Sequence, residues 1–142
     1  MSWILLSFVA LTCFSIMVTL ITMLSRGGLP VSFILFGLSV VLTFFYFIQT
    51  LVTTKFGIAV DVKTLLFLLV IGILSGIGNW AQFQAANDAP NPGLAIAIVG
   101  MQAGLIAIFA ILFLKDKITT LQAVGIGVGI VAIMLISMGA KR

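Results

Sequence analysis

The sequence predicts an all-α integral membrane protein of five transmembrane helices. Three observations lead there. Of the 142 residues, 63% are hydrophobic and 7% charged, more apolar surface than the interior of a soluble domain this size can hide. The charged residues stand singly or in short turns between long apolar runs. Each run is long enough, as a helix, to cross a bilayer core of about 30 Å. Backbone groups in lipid must be satisfied within the segment or by strand neighbours. The short alternating segments of a membrane β-barrel are absent, which leaves helices.

The spans follow in order, about 3–24, 30–53, 64–86, 92–114 and 119–139. The first is expected to stay in the mature protein. It lacks a basic leader, its apolar run is too long for a signal peptide, and no small-residue cleavage pattern follows. Trp3 at its start reads as an interfacial anchor. The turn-forming cluster Ser25-Arg26-Gly27-Gly28 closes it. A polar link from Lys55 to Lys63, carrying Asp61, separates spans two and three, and Asn87-Asp88-Ala89-Pro90-Asn91 separates three and four. Asn91 is placed to cap span four, with Pro92 at the first helical position, where the missing N–H costs nothing. Lys115, Asp116 and Lys117 end that span in water. Thr119 and Gln122 stand three residues apart, the spacing of a capping box for span five. The whole chain, 1–142, reads as one module.

Several function classes are excluded by what the spans lack. The net charge of +4 comes from single basic residues at segment ends, the pattern of loops flanking spans rather than of a nucleic-acid surface. With no histidine, no glutamate and a single cysteine, Cys13, in an apolar run, neither a metal site nor an intrachain disulfide is expected. No cofactor is implied. Asp61, Asp88 and Asp116 all fall in turns, so no span carries a buried carboxylate for proton coupling or a base for nucleophilic chemistry. The chain does not read as an enzyme.

The polar residues that do enter the spans are uncharged and fall in stripes. At 100° per residue, Thr12, Ser15, Thr19 and Thr22 share one side of span one. Ser39, Thr43, Tyr46, Thr50 and Thr53 line span two, with Gln49 at the edge. On span three, Gly72, Ser75, Gly76, Asn79, Gln82 and Ala86 share a face, and Trp80 lies deep enough for an apolar or cation–π wall. Polar side chains at membrane depth face protein or water. A hydroxyl has the alternative of bonding the carbonyl one turn back. The amides of Asn79 and Gln82 need more partners than that.

Spans four and five carry small residues instead. Gly93, Ala97, Gly100, Gly104 and Ala107 fall on one face of span four, and Gly125 and Gly129 lie one turn apart on span five. Such faces let helix backbones approach closely. Gly72, Gly76, Gly100, Gly104, Gly125 and Gly129 are therefore the expected packing positions, and Gln102 points away from the glycine face.

The stretch FLKDKITTLQAVGIGVGIVAIMLIS resembles the end of the EamA module of the drug/metabolite transporter superfamily. There a Gly-Glu-Arg/Lys turn is followed by Leu-Thr-Pro-Leu-Gln-x-x-Gly opening a Gly-rich last helix. Asp116 stands at the Glu, Lys117 at the basic residue, and Ile118 and Thr119 at Leu-Thr. Leu121, Gln122 and Gly125 stand at Leu-Gln and Gly. Lys115 replaces the turn Gly, and Thr120 replaces Pro. Asn79-Trp80 to Pro92 resembles the junction of the family's third and fourth helices.

The resemblance implies half of a ten-helix inverted-repeat fold. Two such modules form a substrate site between them and rock to expose it alternately. It therefore implies a small-molecule transporter in the cell (plasma or inner) membrane. One module must pair with a second, as a homodimer, antiparallel or parallel, or as a heterodimer with a similar small protein. Thr12, Ser15, Tyr46, Gln49, Asn79, Trp80, Gln82 and Gln102 are the expected substrate-binding residues, suited to a neutral, zwitterionic or amphipathic metabolite. The alternative is a non-transporting subunit or a lipid-flippase-like partner of another membrane protein. Orientation is finely balanced. Lys55, Lys63, Lys115 and Lys117 fall on one side, and Arg26, Lys141 and Arg142 on the other, almost no bias toward either insertion.

Overall fold

A computed structural model describes residues 3–53, 61–115 and 117–139. Lys55, Asp116, Lys141, Arg142 and the side chain of Trp3 lie outside the described residues. The elements are α1 (Trp3–Arg26), α2 (Val31–Thr53), α3 (Val62–Asp88), α4 (Pro92–Val99), α5 (Gln102–Phe109) with a π-helical turn Ala110–Leu114, and α6 (Thr120–Gly139). No strand occurs among the described residues. Leu5–Arg26, Val31–Thr53, Val62–Asp88 and Pro92–Leu114 are long and apolar enough to cross a membrane, and Thr120–Ile136 is a shorter apolar run. The fold is an all-α, multi-pass membrane fold of five spans, the fourth carried by α4, α5 and the π turn.

The chain divides into two compact units, Met1–Asn87 and Asp88–Arg142. In the first, α1 packs against α2 across a tight turn. The N–H of Gly27 donates to Met23 O at 3.0 Å and that of Leu29 to Leu24 O at 3.3 Å. Gly28 between them has φ +102°, a conformation that side-chain-bearing residues rarely adopt. Val18, Ile21 and Thr22 of α1 and Val31 of α2 are buried. Helix α3 begins at Val62 because Asp61 caps it. The Thr64 N–H donates to Asp61 Oδ1 at 2.9 Å, and the Leu65 N–H donates to the Asp61 carbonyl at 3.1 Å. At the far end of α3, Phe83 and Ala86 are buried.

In the second unit Asn91 caps α4, accepting from the Gly93 N–H at 2.8 Å, with Pro92 in the first turn. Span four is not one continuous helix. At Gly100–Met101 the hydrogen bonds tighten to three-residue spacing: Met101 N–H to Ile98 O at 3.1 Å, Ala103 N–H to Gly100 O at 3.2 Å and Gly104 N–H to Met101 O at 3.0 Å. This is a short 3₁₀ insertion in the α-ladder. The span ends at Lys115, whose φ of 59° and ψ of 28° are left-handed. It is the non-glycine residue with positive φ among the described residues. Helices α4 and α5 both pack against α6.

Candidate functional site

The polar stripes of the first unit are built from the helix backbone outward. In α1, Thr12 Oγ1 donates to Phe8 O at 2.9 Å, Ser15 Oγ to Leu11 O at 2.8 Å and Thr19 Oγ1 to Ser15 O at 2.9 Å. Thr22 Oγ1 donates to Val18 O at 2.9 Å. In α2, Ser39, Thr43, Thr50 and Thr53 donate to Leu35, Ser39, Tyr46 and Gln49 carbonyls at 2.7–2.8 Å. A hydroxyl has one proton and two lone pairs. With the proton committed one turn back, each of these groups can still accept from a ligand but no longer donates to one.

The amides differ. Asn79 Nδ2 donates to Ser75 Oγ at 3.2 Å, which leaves its second N–H and its carbonyl oxygen. Gln82 is half-buried one turn before the buried Ala86. Gln49 edges a shallow hollow of about 310 Å³ with Phe45, Ile48, Val52 and Thr53. The Tyr46 ring stands edge-on to Phe45, with centroids 5.6 Å apart and planes at 76°. Trp80 is half exposed. Thr12, Ser15, Gln49, Asn79 and Gln82 make no hydrogen bond across helices to one another among the described residues. The first unit therefore presents them as separate stripes on α1, α2 and α3. Gln102 belongs to the second unit, exposed at the start of α5.

The glycine positions separate into distinct environments. A Cβ placed on Gly104 would stand 3.3 Å from Ile126 Cγ2 and 3.7 Å from Ile130 Cδ1, so α5 and α6 approach closely there. On Gly100 it would meet Ala97 O, in the preceding turn, at 3.1 Å. Gly72, Gly76, Gly125 and Gly129 have nothing within 4 Å of such a Cβ. Close approach at Gly104 and open space at Gly125 and Gly129 leave a groove of about 660 Å³ in the second unit, with Gly100, Gly104, Gly125 and Gly129 among its lining and Lys117 and Gln122 at one end.

Among the described residues, charge falls at or just beyond the helix ends. Arg26 is the last residue of α1 and Asp88 of α3. Asp61, just ahead of α3, has its carboxyl held below the usual aspartate range by hydrogen bonds from the Thr64 side chain and backbone. Asp61, expected only as part of the polar link, caps α3 in the structure. The Asp-x-x-Thr spacing ahead of an apolar run was the available signal. Gln122 was visible as a cap, but its place in a groove depends on how α5 and α6 cross. No cluster of potential metal ligands occurs among the described residues.

Uncharged acceptors, amides and aromatic faces thus lie on helices of membrane length. The model of the EamA-like transporter family matches residues 1–138. No curated protein and no solved structure matches the chain. With five spans ending in the family's turn and Gly-rich helix, the chain belongs to the EamA-like transporter family, as an EamA module of the drug/metabolite transporter superfamily.

Proposed function

We propose that this module carries a small neutral, zwitterionic or amphipathic metabolite across the cell membrane, working by alternating access in a dimer of five-helix modules. The observation that carries this reading is the set of committed hydroxyl protons on α1 and α2. Oxygens that can only accept, taken together with the amides of Gln49, Asn79 and Gln82 and the rings of Tyr46 and Trp80, suit a solute bearing N–H or O–H donors and an apolar face. A strongly anionic solute would need an Arg or Lys within a span, and these residues fall at span ends.

Pairing follows from the geometry of alternating access, in which two modules of opposite orientation rock about a shared site. The near balance of Lys and Arg between the two sides favours an antiparallel homodimer, since copies inserted both ways rebuild the inverted repeat. Fusions at the C-terminus report on this. A cytoplasmic-only fluorophore and an exterior-only phosphatase are both expected to be active, and adding lysines beside Arg26 should silence one of them. Activity of a single reporter throughout would leave a heterodimer or a parallel homodimer. Transport itself is tested by uptake of a pooled metabolite set into proteoliposomes. Saturable uptake of at least one compound is expected. A folded dimer with no saturable uptake would make the chain a non-transporting subunit or a lipid-flippase-like partner.

A further inference from the structure

The groove of the second unit has no part in the transport reading. It runs between α5 and α6, encloses about 660 Å³ and reaches the turn at Lys117, a volume within the roughly 300–1,000 Å³ of ligand sites. Gly104, Gly125 and Gly129 form its floor, and Ile126 and Ile130 are among its walls. Along the spans its lining is glycine, alanine, methionine and isoleucine, which suits an occupant that is apolar along its length. At one end the chemistry changes. Lys117 is exposed there, and Gln122 joins it. Gln122 Oε1 is committed to the Thr119 N–H at 2.8 Å, which leaves the amide N–H groups as donors. Lys115, Asp116 and Lys117 together keep one net positive charge in this turn.

We infer that this groove holds one anionic phospholipid of the surrounding bilayer, with an acyl chain lying over the glycines and the phosphate at Lys117 and the Gln122 amide. The complementarity is of charge as well as shape: an apolar slot ending in a cation at the membrane surface matches a lipid tail ending in an anion. Basic pockets between membrane helices hold acidic head groups in this way. A helix of a second copy, about 10 Å across, is the competing occupant, and lipid retention tells the two apart. The inference stands apart from transport, because its readout is lipid and not flux.

The test uses the purified full chain in detergent, mixed with phosphatidylglycerol or phosphatidylcholine, with retained lipid read by native mass spectrometry. The wild type should retain phosphatidylglycerol about fivefold better, the factor for one lysine at an anionic surface. Lys117→Gln should bring the two lipids to parity, while Lys63→Gln, on α3, should keep the preference. Gly129→Leu, at a position where a Cβ meets nothing within 4 Å, should reduce retention of both lipids at unchanged helix content. Equal retention by the wild type, an undiminished preference in Lys117→Gln, or full retention in folded Gly129→Leu would each overturn the inference. So would a Gly129→Leu variant that loses dimers and keeps lipid, since a second copy would then be the occupant.

Discussion

Thr119 and Gln122 hold each other across the first turn of α6. The Thr119 N–H donates to Gln122 Oε1 at 2.8 Å, and the Gln122 N–H donates to Thr119 Oγ1 at 3.3 Å. Two backbone donors that would otherwise be orphaned at the start of a membrane helix are satisfied reciprocally. Thr119→Ala should cost about 1 kcal/mol. Gln122→Ala should cost a similar amount, and the double variant less than the sum, because either change already opens the box. Melting of the three variants in one detergent checks this, and strict additivity would show that the pair does not act as a unit.

Lys115 ends span four in a left-handed conformation, φ 59°, at the position where the resembled motif has glycine. A residue with a Cβ carries about 1–2 kcal/mol of strain there, partly offset by the greater freedom of glycine in the unfolded chain. Lys115→Gly should therefore raise the melting temperature modestly, and Lys115→Val should lower it. A lower melting point for the glycine variant would mean that the lysine side chain contributes more than its backbone costs.

Gly104 and Gly125 make contrasting predictions. Gly104→Leu forces a side chain against Ile126 and should cost about 1–3 kcal/mol, the usual range for overpacking. Gly125→Leu enters open space and should melt close to the wild type. Equal destabilisation of both would mean that the two spans meet along the whole glycine face.

Asp61 supplies a pH dependence whose sign is set by its depressed carboxyl. A group more acidic in the folded than in the unfolded protein stabilises the fold above its unfolded pKa. That contribution is lost as the pH falls through the folded value. The melting temperature should fall in acid below the ordinary aspartate range, and Asp61→Asn should flatten that part of the curve. Superimposable acid limbs for the two proteins would remove Asp61 as the cause.

What was legible in the sequence was local. Asn91-Pro92 and Thr119…Gln122 announce helix starts because a cap is chemistry between residues two or three apart, and the long apolar runs announce spans because lipid leaves the backbone no other choice. What was not legible depends on packing. Gly100 reads as a contact glycine, whereas the structure places it at a 3₁₀ break, and one glycine in a membrane helix has no sequence mark to separate these uses. Gly104 lies in a close approach and Gly125 does not, because α5 meets α6 at Ile126 and Ile130 while nothing stands within 4 Å of a Cβ on Gly125. Thr12 and Ser15 are visible as a polar stripe, but their commitment to Phe8 and Leu11 carbonyls is a rotamer choice.

The direct measurement for the transport account is saturable uptake by proteoliposomes carrying wild type, Gln82→Ala, Asn79→Ala or Thr12→Val, with the melting temperature of each. The account predicts a loss of uptake of about tenfold or more for the two amide variants, the factor for one good hydrogen bond to substrate, at unchanged melting. Thr12→Val, which removes one accepting oxygen whose proton is bonded to its own helix, should lower uptake less than either amide variant. Undiminished uptake in both amide variants would contradict the account.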